Sequence, residues 1–195
     1  MVGAAVTVLL ALPVAWLAVR RPGPLSTVAE RATYIAHALP GIVVALALVA
    51  VTIRAARPLY QSMPLLVAAY AILFFPLALV SIRTALSQVP PVFDDLGRSL
   101  GASPLTVLRR LTLPLIAPGL GSGAALVFIS VTTELTASLL LSPIGTQTLA
   151  TRFWSHAESI AYGAATPYAA LMVIISVPMT YFLTRQTSQA GRSTT

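Results

Sequence analysis

The 195-residue chain contains no cysteine, and all twelve of its basic residues are arginine, none lysine. Without cysteine there is no disulfide, no thiolate metal site and no cysteine nucleophile. Charge of either sign is scarce. Asp, Glu, Lys and Arg make up 9% of the residues, against about 25% in an ordinary soluble domain. The two histidines, His37 and His156, are too far apart in sequence to suggest a metal cluster, and neither a metal nor a cofactor is expected. What is abundant is apolar: 57% of the residues are hydrophobic and the mean hydropathy is +0.87. That balance excludes a soluble domain and predicts an all-α, multi-pass bundle of membrane helices. The net charge of +7 then marks a cytoplasmic face and is no signal for nucleic acid. No charged segment precedes the first apolar run, so no cleavable signal peptide is expected.

A membrane span needs about 20 mostly apolar residues. The first candidate runs from Val2 to Val19 and stops at Arg20-Arg21-Pro22-Gly23-Pro24. A short polar connection follows over residues 22–33, carrying Glu30 and Arg31. The second candidate covers Ala36 to Ile53, with Pro40-Gly41 near its start; the third covers Pro64 to Ile82. The fourth starts near Leu115 and stays apolar to Val131, with Gly119 and Gly123 at the G-x-x-x-G spacing that admits a close helix neighbour. From Thr132 to Trp154 the pattern is too broken to span and suits a re-entrant element packed inside protein. The fifth covers Ala164 to Leu183, so the membrane domain is expected over residues 1–185, with a disordered cytoplasmic tail over 186–195. With five spans, Arg20, Arg21, Arg31, Arg83, Arg98, Arg109, Arg110, Arg185 and Arg192 collect on one side and Arg54, Arg57 and Arg152 on the other. The positive-inside rule puts the larger set in the cytoplasm, with the N-terminus outside.

The long polar segment between apolar runs is Pro90–Pro114, PPVFDDLGRSLGASPLTVLRRLTLP. It reads as two short amphipathic helices. Pro90 and Pro91 suit a helix start, Asp94 and Asp95 suit its first turn, and Val92, Leu96 and Leu100 share a face. Gly101 suits a left-handed C-terminal cap, and Ser103-Pro104 suits the N-cap and first position of the second helix. That helix presents Leu105, Leu108 and Leu111 on one side, with Arg109 and Arg110 near its end. Its apolar faces are narrow and its basic charge modest for a helix lying on lipid, so docking to a partner protein is the stronger reading. SLGASPLTVLRRL also resembles a helix-turn-helix DNA reader, but spans within a few residues on both sides leave little room for duplex DNA.

Glu134, at the end of the fourth span, is an ionisable residue at membrane depth and so a candidate functional group; capping the short helix after it is the plainer alternative. An intramembrane enzyme would have to use Ser122, Glu134 or His156. Ser122 lies between Gly121 and Gly123, but Leu120 stands where the G-x-S-G motif of intramembrane serine proteases has its first glycine. A place on a small-residue packing face suits Ser122 better, and no catalytic residue is assigned. His156 and Glu158 form an outer polar patch of low specificity.

The Pro90–Pro114 segment resembles the cytoplasmic signature of bacterial ABC-transporter permeases, the binding-protein-dependent inner-membrane components. That signature is an E-A-A triplet, a later glycine, and a close of apolar residue, any residue, Leu and Pro. Asp95-Leu96-Gly97 stands for the triplet, Gly101 is the glycine, and Leu111-Thr112-Leu113-Pro114 is the close. Leu96 and Gly97 replace the two alanines. His37-Ala38-Leu39-Pro40-Gly41 resembles the family's A-L/I-P-G segment. Glu134 to Leu141 resembles the K-E-L-P-A-T-L-L-L stretch of the ferric-iron branch, with Thr133, Thr136 and Ser138 in place of Lys, Pro and Thr. Thr148-Leu149-Ala150-Thr151, with Trp154 after it, resembles that branch's T-L-A-T segment. The whole is most similar to the C-terminal half of ferric-iron permeases without that half's first span, as a truncated half or a single-half subunit.

The resemblance implies a type I ABC-importer permease in the bacterial inner membrane, carrying iron(III); thiamine or polyamine importers share the architecture. It implies a cytoplasmic ABC ATPase, an external substrate-binding protein, a second permease half and surrounding lipid as partners. Asp95, Leu96, Gly97, Gly101, Arg109, Leu113 and Pro114 would couple to the ATPase. Glu134, Thr136 and Ser138 would lie at the translocation path or its gate. The chain has no G-x-x-x-x-G-K-[ST] loop, so ATP hydrolysis would reside in the partner and the chain would be no enzyme.

Overall fold

The computed structural model describes residues 1–20, 23, 24, 28, 31–33 and 39–192, with side chains throughout except those of Asp94, Arg98, Pro104 and residues 182–192. The expectations for Arg21, Glu30, His37 and Ala38, and for residues 193–195, lie outside the described residues. Among the described residues the ordered structure is helical. Helix α1 is Val2–Arg20, α2 is Gly41–Ala55 and α3 is Met63–Ser87, with one 3-10 turn at Arg57–Leu59. The polar segment supplies α4 (Val92–Ser99) and α5 (Pro104–Val107), followed by a π-helical turn at Leu108–Thr112 and then α6 (Leu113–Thr133). Two short helices, α7 (Thr136–Leu141) and α8 (Leu149–Glu158), precede the last, α9 (Tyr162–Arg192).

Among the described residues four helical stretches are long and apolar enough to cross a membrane: Val2–Arg20, Met63–Ser87, Leu105–Thr133 and Tyr162–Tyr181. The second expected span is represented by α2, whose 15 residues reach only about 22 Å. It begins after Pro40, whose φ of −56° and ψ of 139° are extended, the geometry of a chain entering a helix rather than continuing one.

Two further differences from the sequence reading have physical causes. The fourth span does not start at Leu115; it is continuous with the second helix of the polar segment from Leu105 onward. Pro114 lacks an N–H and its ring would clash with the carbonyl four residues back, which in an α-helix breaks the run. Here the turn before it widens to the π form, and the Leu113 N–H reaches back five residues to the Leu108 carbonyl. The wide turn also shifts the phase. Val107, Thr112 and Ile116 face the bundle, at 6%, 2% and 1% exposure, while Leu105 is exposed and Leu108 and Leu111 only half-buried. At the other end, α9 runs on to Arg192 where an irregular tail is expected from 186. Extending an existing helix costs far less than starting one.

The bundle is held by small residues that bring helices close. α1 runs parallel to α3: Gly3 lies against Tyr70, and Arg20 Nη1 donates to the Val89 carbonyl at 3.0 Å. α6 runs antiparallel to α3, its Gly119 against Ala85 and its Gly123 against Ser81, where an added Cβ would come 3.0 Å from Ser81 Cβ. The G-x-x-x-G pair thus does what its spacing predicts. Ala4, Ala11 and Ala15 of α1, Ala78, Leu79, Ile82 and Leu86 of α3, and Ile116 and Val127 of α6 form one buried cluster. A second joins α2, α3 and α7 through Ala45, Leu65, Leu66, Ala69, Ala137 and Leu141. By contrast Leu171, Val173, Ile174 and Val177 of α9 are exposed, the dress of a helix meeting lipid or another apolar surface.

Candidate functional site

At one end of the bundle lies the polar segment. Helix α4 stops at Gly101, whose φ is +76°, and the Ala102 N–H reaches back to the Gly97 carbonyl at 3.0 Å. Those two features define a Schellman termination. Ser103 then caps α5, its Oγ accepting from the Thr106 N–H at 3.2 Å. The pair of helices packs through Phe93, which joins the main core, and through Gly97, which faces Val107. A Cβ on Gly97 would come 2.5 Å from Val107 Cγ2, so alanine at this third triplet position would crowd a β-branched neighbour. The glycine here and the valine opposite are matched in volume.

The apolar face that the sequence marks on α4 points away from the protein. Val92, Leu96 and Leu100 are 53%, 52% and 85% exposed, and Leu105 adds a fourth exposed leucine-class side chain from the next helix. Asp95, Arg109, Arg110 and Pro114 are exposed, while Leu113 is half-buried against the core. The result is a capped helix pair that exposes an apolar stripe together with one acid, Asp95, and two bases, Arg109 and Arg110.

The other candidate residues meet about 10–15 Å in from the start of α3, at the level of Tyr70 and Leu73. There α6 ends at Glu134, whose backbone leaves the helix with φ −72° and ψ 116°. The Glu134 side chain turns forward, and Oε1 accepts from the Ala137 N–H at 2.9 Å, capping the first turn of α7. An added Cβ at Gly41 would lie 3.9 Å from the same Oε1, so the start of α2 comes to this point too. Two interruptions of the backbone, the start of α2 at Gly41 and the α6–α7 break at Glu134 and Leu135, therefore converge inside the bundle, the placement in which irregular backbone is tolerated at membrane depth. Ser138 is fully buried and joins Glu134 to α3 through Tyr70. Thr136 is half-buried beside them.

Thr148 and Thr151 form a reciprocal capping box, with N–H to Oγ1 distances of 2.8 and 3.2 Å, that starts α8. Ser122 Oγ donates to the Pro118 carbonyl within its own helix at 3.1 Å, and the His156 ring stacks on Tyr168 with centroids 5.4 Å apart. Tyr70 is the member of the site that the sequence reading missed. A tyrosine within an apolar span, needing a partner for its hydroxyl, was the available signal.

Interrupted helices inside a bundle, joined by one long helix to a capped helix pair at its end, define a multi-pass membrane protein of the ABC-importer permease fold. Residues 7–188 match the family of binding-protein-dependent transport system inner membrane components, and the chain belongs to that family. It is 42% identical over 174 residues to the Fe(3+)-transport system permease protein FbpB 2 of Haemophilus influenzae, covering 89% of this chain and 34% of that protein. It is 28% identical over 141 residues to the trehalose transport system permease protein SugB of Mycobacterium tuberculosis, covering 67% of this chain and 48% of the relative. The chain thus spans about a third and about a half of these two proteins. A chain of the MetNI methionine ABC transporter, in inward-facing conformations, superposes with a TM-score of 0.73 at 19% identity, over 96% of this chain and 89% of that one; the likeness is one of fold.

Proposed function

We propose that the chain is the permease subunit, or one permease half, of an ATP-driven importer of iron(III) in the bacterial inner membrane, and that it carries out no reaction itself. The observation that carries this reading is the Pro90–Pro114 segment: a Schellman-capped helix pair with an outward apolar face, built on the family's glycine and Leu-Pro close. An exposed apolar helix face of this kind suits a groove in a partner protein. We assign that groove to a separate cytoplasmic ATPase, with Leu96 as anchor and Asp95 and Arg109 as flanking charges. Gly97 and Gly101 shape the helix pair, and Leu113 and Pro114 join it to the membrane. Iron(III) as cargo follows the 42% identical Haemophilus relative; another small solute remains compatible with the same architecture.

The mechanical link is one helix. From Leu105 to Thr133 it runs 29 residues, about 43 Å, with α4 docked at its start and Glu134 at its end. Movement of the ATPase against α4 would tilt this helix through the Gly119 and Gly123 contacts with α3 and displace Glu134, Thr136 and Ser138, which we place at the path or its gate. An external substrate-binding protein would deliver cargo at the far end, and a second permease half would complete the path. Arg20, Arg83, Arg109 and Arg110 fall toward the α4 end and Arg54 and Arg57 toward the other, which supports a cytoplasmic α4 and C-terminus with the N-terminus outside. Residues 1–185 act as a single membrane domain in this reading.

Reconstitution of the chain with its ATPase and second half tests it. Gly101→Val places a branched side chain where φ is +76° and should weaken ATPase association and uptake together. Unchanged association and uptake would contradict the proposal.

A further inference from the structure

Tyr70 occupies a place no motif assigns. Its ring lies against the backbone of α1, where a Cβ on Gly3 would come 2.9 Å from Tyr70 Cδ2. Its hydroxyl lies 2.6 Å from Ser138 Oγ, which lies 2.7 Å from the Glu134 carbonyl oxygen. A carbonyl only accepts, so the single Ser138 proton goes to Glu134 and the Tyr70 proton goes to Ser138. The chain of bonds therefore has one direction, from α3 through α7 to the end of α6. The Tyr70–Ser138 bond is sealed from solvent, with Tyr70 6% exposed and Ser138 0%.

Helix α7 has six residues, far too few to hold itself as a helix. Its apolar contacts, Ala137 and Leu141 against Ala45, Leu65, Leu66 and Ala69, are non-directional and would tolerate rotation about its axis. A buried hydrogen bond does not, because turning away leaves the Tyr70 hydroxyl without its acceptor while Ser138 keeps its bond to the Glu134 carbonyl. We propose that Tyr70 is the positioning residue of the membrane-depth junction: by donating to Ser138 it fixes the rotation of α7, and with it the station of Glu134 and Thr136. The inference rests on the pathway reading above for its consequence in transport.

The absence of cysteine makes a direct test simple. In the assembled complex in vesicles, a single Thr136→Cys is labelled with a membrane-impermeant maleimide, and Thr148→Cys serves as the control position. Tyr70→Phe should raise the labelling rate at 136 about tenfold, the fold-change expected from one buried hydrogen bond, with the rate at 148 unchanged. Ser138→Ala should do the same, and the double variant should do no more than either single. An unchanged rate at 136, an equal rise at both positions, or multiplicative effects in the double variant would each overturn the proposal. Uptake by the same variants separates the two claims. Selective labelling with undiminished uptake supports positioning by Tyr70 and removes Glu134 and Thr136 from the pathway.

Discussion

The two ends of the Leu105–Thr133 helix are finished in opposite ways. At its start the chain closes its own backbone, through the Gly101 turn and the Ser103 cap, but leaves Val92, Leu96, Leu100 and Leu105 uncovered. At its end Ala137 and Leu141 are buried while Leu139 is 51% exposed, and polar groups pair with one another: Glu134 with Ala137, Ser138 with Tyr70. The first end is unsatisfied in the currency of apolar area, which only another molecule can relieve. The second is closed by hydrogen bonds among its own residues, of which Tyr70–Ser138 is buried. On the proposed reading the first end is a surface for a partner and the second a junction at the path or its gate.

The comparison can be broken at several places. The largest effect should come from the seam that joins the ends. Gly119→Leu drives a side chain into Ala85 and should cost about 3 kcal/mol or more, separating α6 from α3 and lowering the thermal stability of the whole bundle in detergent. Next, Gly101→Val should cost about 1–2 kcal/mol, because no atom lies within 4 Å and the penalty is purely that of φ +76°. Hydrogen exchange should rise over 92–104 and stay unchanged around Tyr70, and Gly101→Asn should recover most of the protection. Gly97→Ala should cost about 1 kcal/mol by pressing on Val107, and Gly97→Ala with Val107→Ala should lose less than the sum of the two changes. The smallest effect on stability should be Leu96→Ser, within about 0.5 kcal/mol in the isolated chain because Leu96 is half-exposed. ATPase association should nevertheless fall with it, and equal losses in both measurements would erase the distinction between the ends.

Much of this contrast was legible in the sequence. Gly101, Ser103-Pro104 and the Gly119/Gly123 pair each act locally, through φ, a cap or a missing Cβ, so residue type and spacing suffice to place them. The broken stretch after Thr132 was legible for the same reason, since a charge and a Ser-Pro-Ile-Gly cannot continue a span. What escaped needed three dimensions. Pro114 reads as a helix boundary unless one knows that a π turn precedes it, and that turn moved the buried face from Leu108 and Leu111 to Val107 and Thr112. The outward aim of the Val92–Leu96–Leu100 stripe could not be read from its period, because an apolar stripe looks the same whether it faces its own core or a partner. Tyr70 was missed because its partner is 68 residues away. The Gly97–Val107 match belongs to the same class: a departure from the family triplet that only the opposing side chain explains.

On the proposed reading the ATPase docks at the α4 end of the bundle. Because the chain lacks cysteine, single cysteines at Leu100, 85% exposed beside Gly101, and at Ile144, 92% exposed beyond α7 at the opposite end, can be compared in one complex with a photoactivatable thiol reagent. Leu100→Cys should crosslink to the ATPase subunit and Ile144→Cys should not; crosslinking from Ile144→Cys, or none from Leu100→Cys, would contradict docking at α4.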